Sequence, residues 1–272
     1  MLANQIDAAL SASVAAGGSE PEIVRRFTSA VAGITAPPQC SVRAGFIHQR
    51  PYAFFVQPSK IAGRVKCELG DILYVVKILD PAGNLLSARA AFLQAKKGTG
   101  SWFIEPHQIE FLHNIKKVQF RFGNSVFKKG GCKPCIYQGL PHRGEMAYYL
   151  LIGGQDQLCY SASRVKKEQP LYQHGFSLGA NRAIRCKQAN IDFCINHDSH
   201  LQFLCSLLVG THGAELRGKM REVVELIYKR IGWVLDPPEE FADNFVEDGR
   251  GMAIIEITSI SERPAERSRV DG

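Results

Sequence analysis

The sequence predicts an α/β fold in which helices precede a small sheet and further helices follow it. Residues 4–16 are rich in alanine and end at two glycines, and a second helical pattern begins at Ser19. Pro37-Pro38 then interrupts the chain before a series of apolar, β-rich segments. From Ser199 onward, apolar residues recur every three or four positions, which is the period of a helix packed on a core.

The elements follow one another along the chain with turn residues between them. The residues from Asp80 to Asn84 form a turn signal between two apolar segments, which predicts a β-hairpin. A helix is expected over residues 106–115 and another, with an apolar stripe, over residues 216–231. Strands are expected over 41–47, 52–56, 65–79, 87–95, 118–122, 147–152 and 252–258.

These elements divide the chain into four regions. The first, residues 1–36, contains the N-terminal helices, and residues 37–155 form the core. Residues 156–260 are expected to be a mainly helical region packed on that core. The polar residues 261–272 are expected to be a disordered tail.

The composition is that of a globular protein. The chain has 272 residues, of which 45% are hydrophobic and 22% charged, which argues against a disordered, collagen-like or coiled-coil chain. No apolar run reaches the roughly 18–20 residues needed to span a bilayer, and no signal-peptide pattern precedes the first helix. We therefore expect a cytoplasmic protein without a membrane partner, whose eight cysteines are reduced thiols.

The positive charge is concentrated in the middle of the chain. Between residues 58 and 143 there are fourteen Lys and Arg against five Asp and Glu, whereas residues 144–272 carry a small acidic excess. An uneven distribution of this kind indicates a polyanion partner such as nucleic acid, although it also occurs on a solvated face.

An acid, an amide and a lysine occur at related positions of the predicted hairpin. Asp71 comes just before its first strand, and Gln94, Ala95 and Lys96 come at the end of its second. An antiparallel hairpin brings the start of one strand opposite the end of the other. Residues two apart on a strand share a face, so Gln94 and Lys96 should lie on one side of the sheet with Ala95 on the other.

These residue types suit phosphodiester hydrolysis. A divalent cation needs a carboxylate, further side-chain or backbone oxygens, and open positions for water and phosphate. The bound metal polarises the phosphoryl oxygens, while a lysine can stabilise the negative charge that develops on them. Alternatively, Asp71 could cap a turn, and Gln94 and Lys96 could form the solvated face of a strand. The apolar run from Ala90 to Ala95 favours a buried strand, where such polar groups need partners.

The order Asp71, apolar strand, turn, apolar strand, Gln94-x-Lys96 resembles the PD-(D/E)xK or restriction-endonuclease-like nucleases, in the Mrr-like branch that has Gln in place of the second acid. The resemblance implies a mixed β-sheet core flanked by helices over residues 37–155. It also implies that Asp71, Gln94 and a backbone oxygen at Ala95 hold Mg²⁺ or Mn²⁺, and that Lys96 is the catalytic lysine.

The resemblance extends to several further residues. Glu68 is a candidate auxiliary acid, and the acid that the superfamily often has on its first helix could be Glu20 or Glu22. Candidate contacts to nucleic acid are Lys97, Gln108, Lys128, Lys129 and Lys133.

Two other groups of residues invite a metal interpretation. Cys132 and Cys135 have the spacing of a zinc knuckle, but no second pair follows, so a plain turn is the simpler interpretation. Asp198, Ser199 and His200 lie directly before an apolar helix, where Asp198 or Ser199 as N-cap is the simpler interpretation.

The sequence therefore predicts a metal-dependent DNA endonuclease, of the kind that acts as effector in bacterial restriction or antiviral defence. A protein partner or self-association would activate or target it. The alternative is a catalytically inactive nuclease-like subunit that binds nucleic acid or assembles with other proteins. RNA as substrate remains open, because contacts to phosphate do not distinguish the sugar.

Overall fold

A computed structural model supports the α/β class. It describes residues 2–48, 52–56, 64–98, 101–102, 104, 108, 111–112, 119–120, 135–136, 146–153, 157–162, 176–178, 184–186, 198–233 and 251–261. Within these residues there are four α-helices, α1 to α4: Leu2–Ala15, Glu20–Ala32, His200–Leu208 and Gly218–Tyr228. A 3₁₀ helix, Lys229–Ile231, continues α4.

The strands are numbered β1 to β15 in chain order. Their bounds are Cys40–His48, Tyr52–Val56, Arg64–Glu68, Ile72–Leu79, Leu85–Lys97, Ser101–Trp102, Gln119–Phe120, Cys135–Ile136, Ala147–Ile152, Leu158–Ser161, Phe176–Leu178, Ile184–Cys186, Asp198–Ser199, Ala214–Glu215 and Gly251–Ile260. Of these, eight form a central sheet in the order β1-β15-β4-β5-β9-β10-β13, with β14 added beside β5. The sheet is mixed, because β15 with β4 and β5 with β9 are parallel pairs and the others are antiparallel.

Helices cover both faces of this sheet. The α1 face, which includes Ile72, Leu93 and Ala95, packs against apolar residues of α1, α2 and α3. The α4 face, which includes Leu73 and Phe92, packs against α4 and against Phe111 and Leu112. The apolar stripe predicted for the C-terminal helix is buried on the α4 face, so it forms core.

The predicted hairpin is confirmed, and one predicted strand is divided. Strands β4 and β5 pair in antiparallel register, and Asp80 accepts hydrogen bonds from the turn. The expected strand over 65–79 is interrupted at Gly70, where a Cβ atom would lie only 3.2 Å from the Leu93 carbonyl oxygen. This close approach of two backbones ends β3, which pairs with β2 outside the central sheet, and β4 begins after it.

The last strand lies inside the sheet. Strand β15 pairs with both β1 and β4, although it belongs to the region expected to be a mainly helical extension. The boundary at residues 155 and 156 stays a prediction, and residues 262–272 of the expected tail lie outside the described part of the chain.

A cluster of charged side chains is buried on the α4 face beneath α4. The Glu256 carboxylate accepts hydrogen bonds from Arg43 Nε at 2.7 Å and from Tyr228 Oη at 2.7 Å, and Lys77 Nζ lies 2.8 Å from it. The Arg43 guanidinium also stacks 4.1 Å from the ring centroid of Trp233. Each charge in this cluster therefore has a partner of opposite sign or an aromatic face.

Two simple findings complete the fold. No described helix is long and apolar enough to cross a membrane. Cys40, Cys67, Cys159 and Cys205 are free thiols.

Candidate active site

The hairpin register brings Asp71 next to Gln94. Ile72 pairs with Leu93, so Asp71, one residue before β4, lies level with Gln94 near the end of β5. The backbone of Asp71 is held on both sides, because its N–H donates to the Leu93 carbonyl at 2.9 Å and its carbonyl accepts from the Ala253 N–H at 2.9 Å. The position of Asp71 is thus determined by two neighbouring strands.

The Asp71 carboxylate bonds to the end of β5. Its Oδ2 atom accepts hydrogen bonds from Gln94 Nε2 and, at 2.8 Å, from the Ala95 backbone N–H. A carboxylate has about four lone-pair positions. Both bonds are accepted by Oδ2, one of the two carboxylate oxygens.

Gln94 is a buried amide with one polar atom unmatched. Its side chain is only 1% exposed, as expected for the apolar strand that surrounds it. Its Oε1 atom has no hydrogen-bond partner among the described residues. Buried amide oxygens without a partner are rare in folded proteins, so this atom calls for a ligand or a functional explanation.

Lys96 lies two residues further along β5, on the same α4 face as Gln94, and is half-buried. Lys96 and Asp71 are both close enough to Cys67 for their charges to affect the pKa of its thiol. Burial raises the pKa of Cys67 to about 12, with the positive charge of Lys96 opposing this rise and the negative charge of Asp71 adding to it. The sequence analysis did not identify Cys67 as a neighbour of this site. Its position four residues before Asp71 was the one feature of the sequence that could have indicated it.

The donors present suit a hard divalent cation. The N–H and C=O of one strand residue point toward the same neighbour, so the Ala95 carbonyl is directed to the same side as Asp71. Carboxylate, amide and backbone oxygens are the ligand types that Mg²⁺ accepts. The described residues contain no cluster of three or more His, Cys, Asp and Glu suited to a metal, so a cation here would use amide and backbone oxygens beside Asp71.

The three candidate auxiliary acids differ in their contacts. Glu68 is half-buried at the end of β3 and its carbonyl accepts from the Cys67 thiol at 3.4 Å. Glu22 belongs to the capping box of α2, where hydrogen bonds from Ser19 lower the pKa of its carboxyl. Glu20 reaches the end of β5, because its Oε2 atom accepts from the Lys97 N–H at 3.1 Å.

The residues proposed to contact nucleic acid fall into three groups. The ammonium of the exposed Lys97 donates a hydrogen bond to the Gly18 carbonyl, which connects the end of β5 to the residues just before α2. Gln108 is buried, and its Oε1 atom has no partner among the described residues. The remaining three lie outside the described residues, as does half of the suggested zinc pair: Lys128, Lys129, Lys133 and Cys132.

The histidine at the start of α3 takes part in a buried chain of hydrogen bonds. Ser199 is the N-cap of this helix, as the sequence suggested, and its side chain accepts from the Gln202 N–H at 3.2 Å. His200 Nδ1 lies 2.8 Å from Asp7 Oδ1, and its Nε2 lies 2.9 Å from the Tyr74 hydroxyl. These contacts join α1, β4 and α3 on the α1 face, away from Gln94 and Lys96.

Comparison of the chain with protein family models, with curated proteins and with solved structures found no match. The functional interpretation therefore depends on the site itself.

Proposed function

We propose that the protein is a metal-dependent DNA endonuclease of the restriction-endonuclease-like type. The observation that supports this most directly is the juxtaposition of Asp71, Gln94 and Lys96 at the ends of two adjacent strands. An acid, an amide in the second ligand position and a lysine are the residues that the resemblance to the Gln-x-Lys branch of this superfamily implies.

The arrangement of the sheet agrees with this proposal. The resemblance implies a mixed sheet flanked by helices, and here the antiparallel pair β4 and β5 is extended by β9, which is parallel to β5. The helical residues Gln108, Phe111 and Leu112 come between β5 and β9 in the chain. The start of β4 and the end of β5, which carry the polar residues, thus lie side by side in a sheet with helices on both faces.

The proposed reaction is hydrolysis of a phosphodiester. A bound Mg²⁺ or Mn²⁺ would polarise the phosphoryl oxygens and lower the pKa of a bound water. The chain would hold that ion through Asp71, Gln94 and the Ala95 carbonyl. Lys96 would stabilise negative charge on the phosphoryl oxygens as the water oxygen bonds to phosphorus and the bond to one sugar oxygen breaks. The leaving oxygen takes up the proton that the water loses.

The substrate is inferred from charge. The basic excess between residues 58 and 143 surrounds the site in sequence and suits a phosphate backbone. Lys97 is the last residue of β5 and directly follows Lys96. We propose DNA as the substrate and a restriction or antiviral defence role as the context, in which a partner or self-association controls cleavage.

A specific observation favours a second candidate, an inactive nuclease-like subunit that binds nucleic acid or other proteins. The hydrogen bond from the Ala95 N–H to the Asp71 carboxylate extends the contact of β5 with the residue just before the start of β4. This hydrogen bond stabilises the end of the β4–β5 pair whether or not the protein is catalytic, so Asp71 also has a structural role.

The deciding experiment measures cleavage and metal binding together. Supercoiled plasmid and a matched RNA are incubated with the full-length protein across a titration of Mg²⁺ and Mn²⁺, and Mn²⁺ binding is measured in parallel from the paramagnetic resonance signal of the free ion. We expect Mn²⁺ binding and DNA cleavage, both lost in Asp71→Asn. Mn²⁺ binding and nucleic-acid binding without cleavage would favour the second candidate, and cleavage undiminished in excess EDTA would contradict the metal mechanism.

A further inference from the structure

A second buried polar side chain lies beside Gln94 on the α4 face. In the parallel pairing of β5 with β9, Gln94 is the register partner of Tyr149. Tyr149 is completely buried, and its hydroxyl has no hydrogen-bond partner among the described residues. Two unmatched polar atoms therefore occur on adjacent residues of neighbouring strands.

The two groups are chemically complementary. The unmatched atom of Gln94 is an amide oxygen, which accepts hydrogen bonds, and a neutral phenol can both donate and accept. Burial and the neighbouring Cys67 raise the pKa of Tyr149 well above its usual value, so the phenol keeps its proton. Register partners on adjacent strands lie about 4.8 Å apart at the backbone, so the two side chains are within reach of each other.

Metal binding requires the Gln94 amide to turn over. In the structure its Nε2 atom donates to Asp71, which directs an N–H, not an oxygen, toward the carboxylate. An amide N–H cannot ligate a cation. For Asp71 and Gln94 to hold the same ion, the amide oxygen must face the carboxylate and the NH₂ group must take the place that the oxygen now has.

We propose that Tyr149 is the positioning residue for this amide, a role that rests on the proposed function. In the structure, where the amide nitrogen faces Asp71, the Tyr149 hydroxyl and Gln94 Oε1 are not hydrogen-bonded. When the amide turns so that its oxygen faces the metal, the hydroxyl accepts a hydrogen bond from Gln94 Nε2. This hydrogen bond forms only in the metal-bound orientation and therefore favours it. Tyr149 thereby gives the amide nitrogen a hydrogen-bond partner in the metal-bound orientation.

The proposal is tested with Tyr149→Phe, which removes the hydroxyl and keeps the ring. Mn²⁺ affinity is measured by titration of the resonance signal, plasmid cleavage as a function of metal concentration, and the melting temperature of each variant. We expect Tyr149→Phe to weaken Mn²⁺ binding about two- to tenfold, since one hydrogen bond to the amide contributes roughly 0.5–1.5 kcal/mol. The metal concentration for half-maximal cleavage should rise by the same factor.

The second part of the test repeats the substitution in a Gln94→Glu background. The two oxygens of a carboxylate are equivalent, so glutamate needs no group to set its orientation. The loss caused by Tyr149→Phe should therefore largely disappear in Gln94→Glu, and the double-mutant cycle measures this coupling. Equal losses in both backgrounds would mean that the hydroxyl acts on the fold in general, and would overturn the proposal.

Tyr160→Phe is the matched control. Tyr160 is the register partner of Tyr149 on β10, is equally buried, and lies one strand further from Gln94. Its variant should bind Mn²⁺ like the wild type. An unchanged Mn²⁺ affinity in Tyr149→Phe, or a wild type that binds no Mn²⁺, would refute the proposed role. Mn²⁺ binding that depends on Tyr149 in a protein that cuts no DNA would contradict the endonuclease function alone.

Discussion

Two polar clusters lie on the same α4 face of the sheet, at opposite ends of β4, and they are built differently. Lys77 comes six positions after Asp71 in the chain, which corresponds to about 20 Å at roughly 3.3 Å per residue. The cluster around Glu256 consists of paired charges packed under α4. The cluster around Asp71 contains a buried amide oxygen and a buried hydroxyl without partners among the described residues.

The difference separates a structural use of polar groups from a functional one. A buried charge is tolerated when it is paired and hydrogen-bonded. Removing one partner leaves the other charge buried without compensation, which lowers the free energy of unfolding. Unmatched buried groups lower stability, and proteins tend to keep them where a ligand completes them. We therefore expect substitutions at Glu256 to affect folding and substitutions near Asp71 to affect chemistry.

The largest effect on activity is expected from Lys96→Ala. The variant should lose cleavage by at least about 100-fold, as removal of one group that stabilises transition-state charge usually does. Its melting temperature and its affinity for DNA should change little, because Lys96 is only half-buried. Lys229→Ala, which removes an exposed lysine next to α4, is the control and should cut normally. Normal cleavage by Lys96→Ala would remove the catalytic distinction between the clusters.

The largest effect on stability is expected from Glu256→Gln. The substitution leaves Arg43 and Lys77 buried without their counter-charge and should cost about 3–5 kcal/mol of unfolding free energy. Chemical denaturation monitored by tryptophan fluorescence measures it. Glu225→Gln in the surface pair with Arg221 on α4 is the control and should cost at most about 0.5 kcal/mol. Similar costs for both variants would mean that the buried cluster is no more important than a surface pair.

An intermediate effect is expected at Gln94, where two substitutions distinguish a ligand from a structural residue. Gln94→Glu should keep or raise activity by adding a negative ligand, whereas Gln94→Leu should reduce cleavage about 10- to 100-fold, corresponding to about 1.5–3 kcal/mol for a contact with a charged group. Adding Mn²⁺ should raise the melting temperature of Gln94→Glu more than that of the wild type, since the metal neutralises two adjacent carboxylates. Near-neutral results for both substitutions would identify Gln94 as a structural residue.

The smallest effect is expected from pH, through a third polar group on the other face. Burial lowers the pKa of His200, with the hydrogen bond and charge of Asp7 opposing the shift. Below the unfolded value of about 6.5, the unfolded chain binds a proton that the folded chain does not, so stability should fall as the pH falls below that value.

Unfolding free energies measured between pH 5 and 7 test this dependence. The slope should be reduced in His200→Gln, which removes the titrating group. An unchanged slope in the variant would assign the pH dependence to other residues and leave His200 a purely structural link between α1, β4 and α3.

Local patterns in the sequence determined much of the fold and the centre of the site. Apolar periodicity, capping residues and turn signals predicted α1, α2, the β4–β5 hairpin, β9, α3 and α4, since these depend on residues close in the chain. The spacing of Asp71 and Gln94 sufficed to bring them together, because the register of a hairpin follows from its turn.

The tertiary structure decided what depends on contacts between distant residues. Only the packing of β5 against β9 places Tyr149 beside Gln94, 55 positions earlier in the chain. Only the insertion of β15 between β1 and β4 brings Glu256 to Arg43 and Lys77. In the sequence Gly70 is indistinguishable from an ordinary turn residue, and only the structure shows the Leu93 carbonyl close beside it. Such contacts reflect the burial of apolar surface by the whole chain, and no pattern of neighbouring residues encodes which strand will lie next to which.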